Sequence, residues 1–221
     1  MNKLLLTLSL LLVACVTAVS AQAQPVVGDA AKGEAKTAMC IGCHSIQGYQ
    51  ATFPEVYKVP MISGQSSKFV VAALSAYKKG ERKHPTMRAI AASLSEQDMA
   101  DLAAYYEKHG KVEGASIPAK ASDPSAKVAE LLNKGACIGC HGANFSTPAD
   151  PSYPRIAGQH EDYLFMALKA YKTEGHATWG RANPIMGGMA KQFSNAELKE
   201  LAAYIHQQPS ELKTVPQIHF R

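Results

Sequence analysis

Leu4 to Val16 forms a nearly continuous apolar run behind a single early charge, Lys3, and is followed by Ala21-Gln22-Ala23, two small residues flanking a polar one. This pattern predicts an export signal over residues 1–23, cut after Ala23. The run is shorter than the roughly 20 apolar residues that a membrane-spanning helix needs. Two other readings of the same segment stay open. Leu12-Val13-Ala14-Cys15 matches a lipoprotein box with Cys15 as the acylated residue, and an uncleaved signal would act as an anchor.

Beyond the signal, apolar positions recur at helical spacing and no stretch alternates long enough to make a strand, which predicts an all-α protein. Ala30–Met39 and Ala126–Ala136 read as helices, as do the apolar stretches that run to Tyr77 and Tyr171. Two amphipathic helices contain Leu-Ala-Ala-Tyr, at Leu102–Tyr105 and Leu201–Tyr204. Their starts are marked by capping boxes, Ser95 with Asp98 and Ser194 with Glu197, and by staple pairs, Leu94 with Met99 and Phe193 with Leu198. Gly110 and Pro209 supply the stops.

The helices come in two sets because the chain repeats itself. Cys-Ile-Gly-Cys-His stands at Cys40–His44 and returns at Cys137–His141. Each copy is followed by a proline and a Gly-Gln, Pro60 to Gln65 and Pro154 to Gln159. Next comes Arg-x-(His/Asn)-Pro-x-Met, Arg82 to Met87 and Arg181 to Met186, and then the Leu-Ala-Ala-Tyr helix. Landmarks repeated in one order indicate a tandem duplication. The stretch from Gly110 to Lys127, rich in Ala, Ser, Gly, Lys and Pro, reads as the connection. The expected organisation is a signal at 1–23, an N-terminal domain at 24–112, a linker at 113–126 and a C-terminal domain at 127–221.

Composition narrows the chemistry. Without Lys3, 22 basic residues stand against 18 acidic ones, too mild and too scattered a surplus for nucleic acid. Of five cysteines, removal of the signal takes Cys15 and leaves four, all inside the two clusters. An exported protein ordinarily pairs its cysteines, so these four have another use. Two cysteines three apart on a helical turn face one side and can bond the two vinyl groups of one haem, while the next residue, histidine, reaches the iron. Zinc would not require the adjacent histidine in both copies, and a thioredoxin-like dithiol would follow a strand. Haem also supplies apolar core to domains of about 100 residues that have little of their own.

The iron's sixth position separates a carrier from an enzyme, since an open position would admit a substrate. Met87 matches Met186 in the repeat, whereas His84 matches Asn183, so a role shared by both copies favours methionine; core packing is the competing role for any single methionine. Met189 aligns with Ile90, which cannot ligate iron. Pro60 and Pro154 offer carbonyls to the second ring nitrogens of His44 and His141, or are simple loop prolines. Arg82 and Arg181 either pair with haem propionates or face solvent. His84, His109, His176, His206 and Trp179 do not recur and read as surface or local packing.

The two CIGCH clusters with Pro-x-Ile-x-Gly-Gln, Arg-x-(Asn/His)-Pro-x-Met and Leu-Ala-Ala-Tyr resemble the dihaem cytochrome c4 family over essentially the whole chain after the signal. The resemblance implies two tandem class I cytochrome c domains facing each other across a pseudo-twofold interface. Each wraps a covalently bound haem c, one held by Cys40 and Cys43 with His44 and Met87 on the iron, the other by Cys137 and Cys140 with His141 and Met186. It implies a periplasmic electron carrier between a quinol-oxidising complex or dehydrogenase and a haem-copper terminal oxidase. Competing functions are the dihaem subunit of a dehydrogenase such as flavocytochrome sulfide dehydrogenase, and a dihaem peroxidase or thiosulfate-oxidising enzyme.

Overall fold

A computed structural model describes residues 26–111 and 116–217. The expected signal with Cys15, position 112 of the expected first domain and positions 113–115 of the expected linker lie outside the described residues. The N-terminal half runs α1 Ala30–Glu34, α2 Ala38–His44, β1 Gln50–Ala51, β2 Tyr57–Lys58, α3 Ser67–Lys79, β3 Arg82–Lys83, α4 Pro85–Ala92 and α5 Glu96–Lys108. The C-terminal half runs α6 Ala126–Lys134, α7 Cys137–His141, α8 Glu161–Lys172, β4 Gly180–Arg181, α9 Pro184–Ala190 and α10 Asn195–His206. Helices dominate as expected, and the two-residue strands form antiparallel pairs, β1 with β2 and β3 with β4.

The first helix of each half differs from its sequence expectation. Ala30–Met39 is broken by a turn at 35–37, where Thr37 Oγ1 donates to the Glu34 carbonyl at 2.8 Å. Ala126–Ala136 ends at Lys134, because Ala136 takes a left-handed conformation (φ 45°). The periodicity ran through both breaks, since alanine does not disclose a turn. In each half the break lets the CIGCH residues form a helical turn directed independently of the preceding helix.

The closing helices α5 and α10 organise their domains. Both capping boxes are formed: Ser95 N–H donates to Asp98 Oδ2 at 3.0 Å, and Ser194 N–H to Glu197 Oε2 at 2.6 Å. The staple residues Leu94, Met99, Phe193 and Leu198 are buried, which fixes the angle at which the chain enters each helix. In the second domain Val128, Leu131 and Leu132 of α6 pack with Leu198, Leu201 and Ile205 of α10, and Phe145 and Leu164 complete the cluster. The first domain's cluster is smaller, with Leu94, Met99, Leu102 and Tyr106 buried and Cys40, Ile62, Leu74 and Tyr105 leaning on it.

Helix α1 meets α5 backbone to backbone. A Cβ on Gly33 would lie 2.1 Å from the Asp101 carbonyl oxygen, so only glycine permits this approach. The Asp101 side chain is fully buried and pins the junction. It accepts from Asp29 N–H at 2.9 Å, Gln97 Nε2 at 2.8 Å and Lys36 Nζ at 2.7 Å. Lys36 foremost, with the Asp29 amide and Gln97, holds this carboxyl down to about 2.

The halves contact each other at several places. β3 pairs with β4; Tyr57 of β2 packs with Met166 and Ala170 of α8; Lys169 bonds Glu55 at 2.6 Å; and Lys83 Nζ donates to the His176 carbonyl at 2.6 Å. Trp179, expected at the surface or in local packing, leans on the Tyr57 cluster and so belongs to the contact between halves. Among the described residues no helix is long and apolar enough to cross a membrane.

Two substitutions test this packing. Gly33→Ala should part α1 from α5 and lower the stability of the first domain by about 2 kcal/mol or more, measured by thermal unfolding of the holoprotein. The Asp101 carboxyl is depressed when folded, so its contribution is present above the ordinary aspartate range and lost as pH falls from 3.8 towards 2. Asp101→Asn should therefore lower stability at neutral pH and flatten its decline across that interval, as read from unfolding midpoints at a series of pH values.

Candidate functional site

No disulfide joins the four cluster cysteines among the described residues. Cys40 leans on the first domain's core and Cys137 on the second's, and burial pushes both thiols upward. Cys140 is exposed and Cys43 half-buried. Each pair is spaced three residues apart on α2 or α7, which puts both sulfurs on one side of its helix.

The histidines that follow are oriented by backbone. His44 Nδ1 lies 2.8 Å from the Pro60 carbonyl oxygen, and His141 Nδ1 lies 3.1 Å from that of Pro154. A carbonyl only accepts, so each Nδ1 carries the proton and each Nε2 keeps a lone pair for a metal. Burial pushes both histidines downward, which favours this neutral form. The prolines thus supply the carbonyl contacts expected of them, because proline's fixed φ holds the peptide in place without an N–H of its own.

Met87 and Met186 occupy the same position on equivalent helices. Both follow a proline in the first turn of α4 or α9. The Met87 N–H donates to His84 Nδ1 at 3.4 Å, and the Met186 N–H to Asn183 Oδ1 at 2.9 Å. His84 and Asn183 are therefore equivalent N-caps, a recurrence hidden in the sequence by the different residue types. Both methionines are half-buried, α4 packs on α3, and α9 packs on α8. The Met189 sulfur lies 3.7 Å from Gln192 Nε2 on its own helix end.

Arg82 and Arg181 stand opposite each other in the β3–β4 ladder. They turn inward onto protein groups rather than out to solvent. Each lies over two aromatic rings, Arg82 over Phe69 and Tyr77, Arg181 over Tyr163 and Tyr171. Both donate to one hydroxyl, Tyr163 Oη, at 2.8 and 3.1 Å. Burial would raise the Tyr163 hydroxyl, but the two guanidiniums overrule it and bring it down to about 8. Among the described residues neither arginine has a carboxylate partner, and Arg82 Nε is buried without an acceptor.

These residues fit two haem groups. Like charges placed opposite each other in a ladder repel, and carboxylates such as propionates would relieve them and satisfy Arg82 Nε. α2 and α3 bury no side chain completely, although α3 carries Phe69, Val70, Val71 and Leu74, so the first domain has apolar surface for a porphyrin to cover. The donor set of thiols, neutral imidazole and thioether is that of a c-type iron centre.

Sequence reasoning missed the role of the two glutamines. Gln65 and Gln159 are buried, and each crosses to the other domain. Gln65 Oε1 accepts from Arg155 N–H at 2.9 Å, and its Nε2 donates to the Arg155 carbonyl at 2.9 Å. Gln159 Oε1 accepts from Met61 N–H at 3.0 Å, and its Nε2 donates to the Met61 carbonyl at 2.9 Å. Their recurrence in both copies was the available signal. His109 and His206 are local, the first bonded to Ser63 Oγ and the second to the Gln159 carbonyl.

The Cytochrome c family model matches residues 30–109 and 125–209, one match for each half. Cytochrome c4 of Azotobacter vinelandii is 32% identical over 222 residues, spanning 93% of this chain and 98% of the relative. The crystal structure of reduced recombinant cytochrome c4 from Pseudomonas stutzeri superposes with a TM-score of 0.62 at 29% identity, covering 83% of this chain and 100% of that one. A thiosulfate dehydrogenase electron acceptor of Stutzerimonas stutzeri is 29% identical over 75% of this chain and 76% of its own. With two tandem matches, a CIGCH cluster in each half and histidines oriented for a metal, this chain belongs to the cytochrome c4 family, dihaem electron-transfer proteins built from two cytochrome c domains.

Proposed function

We propose that the chain is a periplasmic electron carrier in which Cys40 and Cys43 bind one haem and Cys137 and Cys140 the other. His44 and Met87 ligate the first iron, and His141 and Met186 the second. The observation that carries this reading is the duplication of one arrangement: a histidine fixed by a proline carbonyl, and a methionine fixed by a capped, proline-started turn. When bound, haem supplies an iron that changes by one electron. The protein's part would be to hold the histidine and methionine of each site still between oxidation states. The proline carbonyls prevent the imidazoles from rotating, and the caps of α4 and α9 prevent the methionine loops from moving away.

Two methionine-capped irons leave no open position for a substrate, which favours a carrier over a peroxidase or a thiosulfate-oxidising enzyme. The proposed donor is a quinol-oxidising complex or a dehydrogenase, and the proposed acceptor a haem-copper terminal oxidase. The likeness to an electron acceptor of thiosulfate dehydrogenase supports a dehydrogenase as the alternative donor. The signal at 1–23 carries the assignment to the periplasm, with domains at 24–112 and 127–221 joined by the linker at 113–126. Mass spectrometry of the exported protein reads both the mature N-terminus and the number of haems.

Cys137→Ser together with Cys140→Ser should leave one haem per chain and destabilise the second domain; two haems retained would remove these cysteines from the site. Met186→Ala should abolish half of the far-red thioether-to-iron absorption and lower one midpoint potential, because thioether sulfur favours ferrous iron. Met189→Leu, a volume-conserving change, should leave band and potentials in place. Loss of the band in the Met189 variant would exchange their roles.

A further inference from the structure

Each crossing glutamine engages the peptide unit that orients the other domain's histidine. Pro60 C=O and Met61 N–H belong to one peptide group. The carbonyl accepts from His44 Nδ1 at 2.8 Å, while the N–H donates to Gln159 Oε1 at 3.0 Å. Pro154 C=O and Arg155 N–H form the equivalent group, with His141 at 3.1 Å on one side and Gln65 Oε1 at 2.9 Å on the other. The second bond of each glutamine, from Nε2 to the next carbonyl, fixes the amide so that Oε1 cannot turn away. Both glutamines are buried, so water does not compete for these contacts.

An acceptor on a peptide N–H pushes electron density towards the carbonyl of the same group, and hydrogen bonds in such chains reinforce one another. A more negative carbonyl draws the Nδ1 proton more strongly and makes the imidazole a more basic ligand. A more basic ligand stabilises ferric iron.

We propose that Gln65 and Gln159 are positioning residues that act in trans, each setting the reduction potential of the haem in the opposite domain through the peptide group behind its histidine. The proposal rests on the assignment of His44 and His141 as iron ligands. It adds that neither domain has its working potential except against the other. Loss of one amide should not part the domains, because the β3–β4 pairing, the packing of Tyr57 on Met166 and the Lys169–Glu55 bond all lie elsewhere.

The test is a redox titration of the dihaem holoprotein with each haem resolved by NMR. Gln159→Leu should raise the potential of the haem at Cys40–His44, by about threefold in its reduction equilibrium constant, and move the haem of its own domain less. Gln65→Leu should raise the potential of the haem at Cys137–His141. Gln159→Glu keeps an acceptor for the Met61 N–H and adds negative charge, at the cost of the donor to the Met61 carbonyl; it should shift the Cys40–His44 haem the opposite way, with the Met61 amide proton moving downfield. The Glu variants decide the matter if a Leu variant fails to fold. Shifts confined to the glutamine's own domain, equal shifts at both haems, or no shift would overturn the proposal. Haem count and the thioether-to-iron band of the unsubstituted protein test the ligand assignment separately, so failure of one reading is distinguishable from failure of the other.

Discussion

Two guanidinium groups facing each other in a half-buried ladder are a constraint that the contact between the domains must satisfy. Arg82 and Arg181 repel, and their burial makes the repulsion stronger than it would be in water. The protein answers with aromatic faces under each cation and one shared hydroxyl, none of which carries a full negative charge at neutral pH. Anions between the domains would relieve the remaining repulsion, and carboxylates of bound porphyrins would suit that place.

The two cores would depend on a porphyrin to different degrees. The second domain closes a broad cluster around Phe145 and α10 with protein alone, whereas the first has only a small cluster behind Cys40. The first domain compensates at its far side, where α1 lies against α5 through glycines and the buried Asp101. That junction is polar and specific where its counterpart, α6 on α10, is apolar.

Much of this was legible in the sequence, and the reasons are physical. CIGCH leaves few uses for its sulfurs, capping boxes announce helix starts through chemistry local to four residues, and repetition exposes roles that a single copy would hide. The proposal of Met186 over Met189 rests on the second copy, which places isoleucine opposite the latter and repeats the proline two residues before the former. What depends on distant contacts was not legible. His84 and Asn183 cap equivalent turns with different side chains, Trp179 gained a partner from the other half, and the glutamines looked like ordinary loop residues until their partners were in view. Nor could alanine-rich helices show where they would break, as at Ala136, which takes a left-handed conformation.

The exchanged glutamines bear on how such a chain could arise. A contact in which each half offers the same residue to the same peptide of the other is self-complementary, the form that a symmetric dimer of single-domain subunits adopts. Fusing the two subunits would preserve it unchanged, and afterwards each half would be free to diverge. Phe69 and Tyr163 occupy corresponding places beside the two arginines, and only the tyrosine brings a hydroxyl. A homodimer would have to carry two hydroxyls there or none, so the fused chain has an inequality between its halves that a symmetric ancestor could not have inherited.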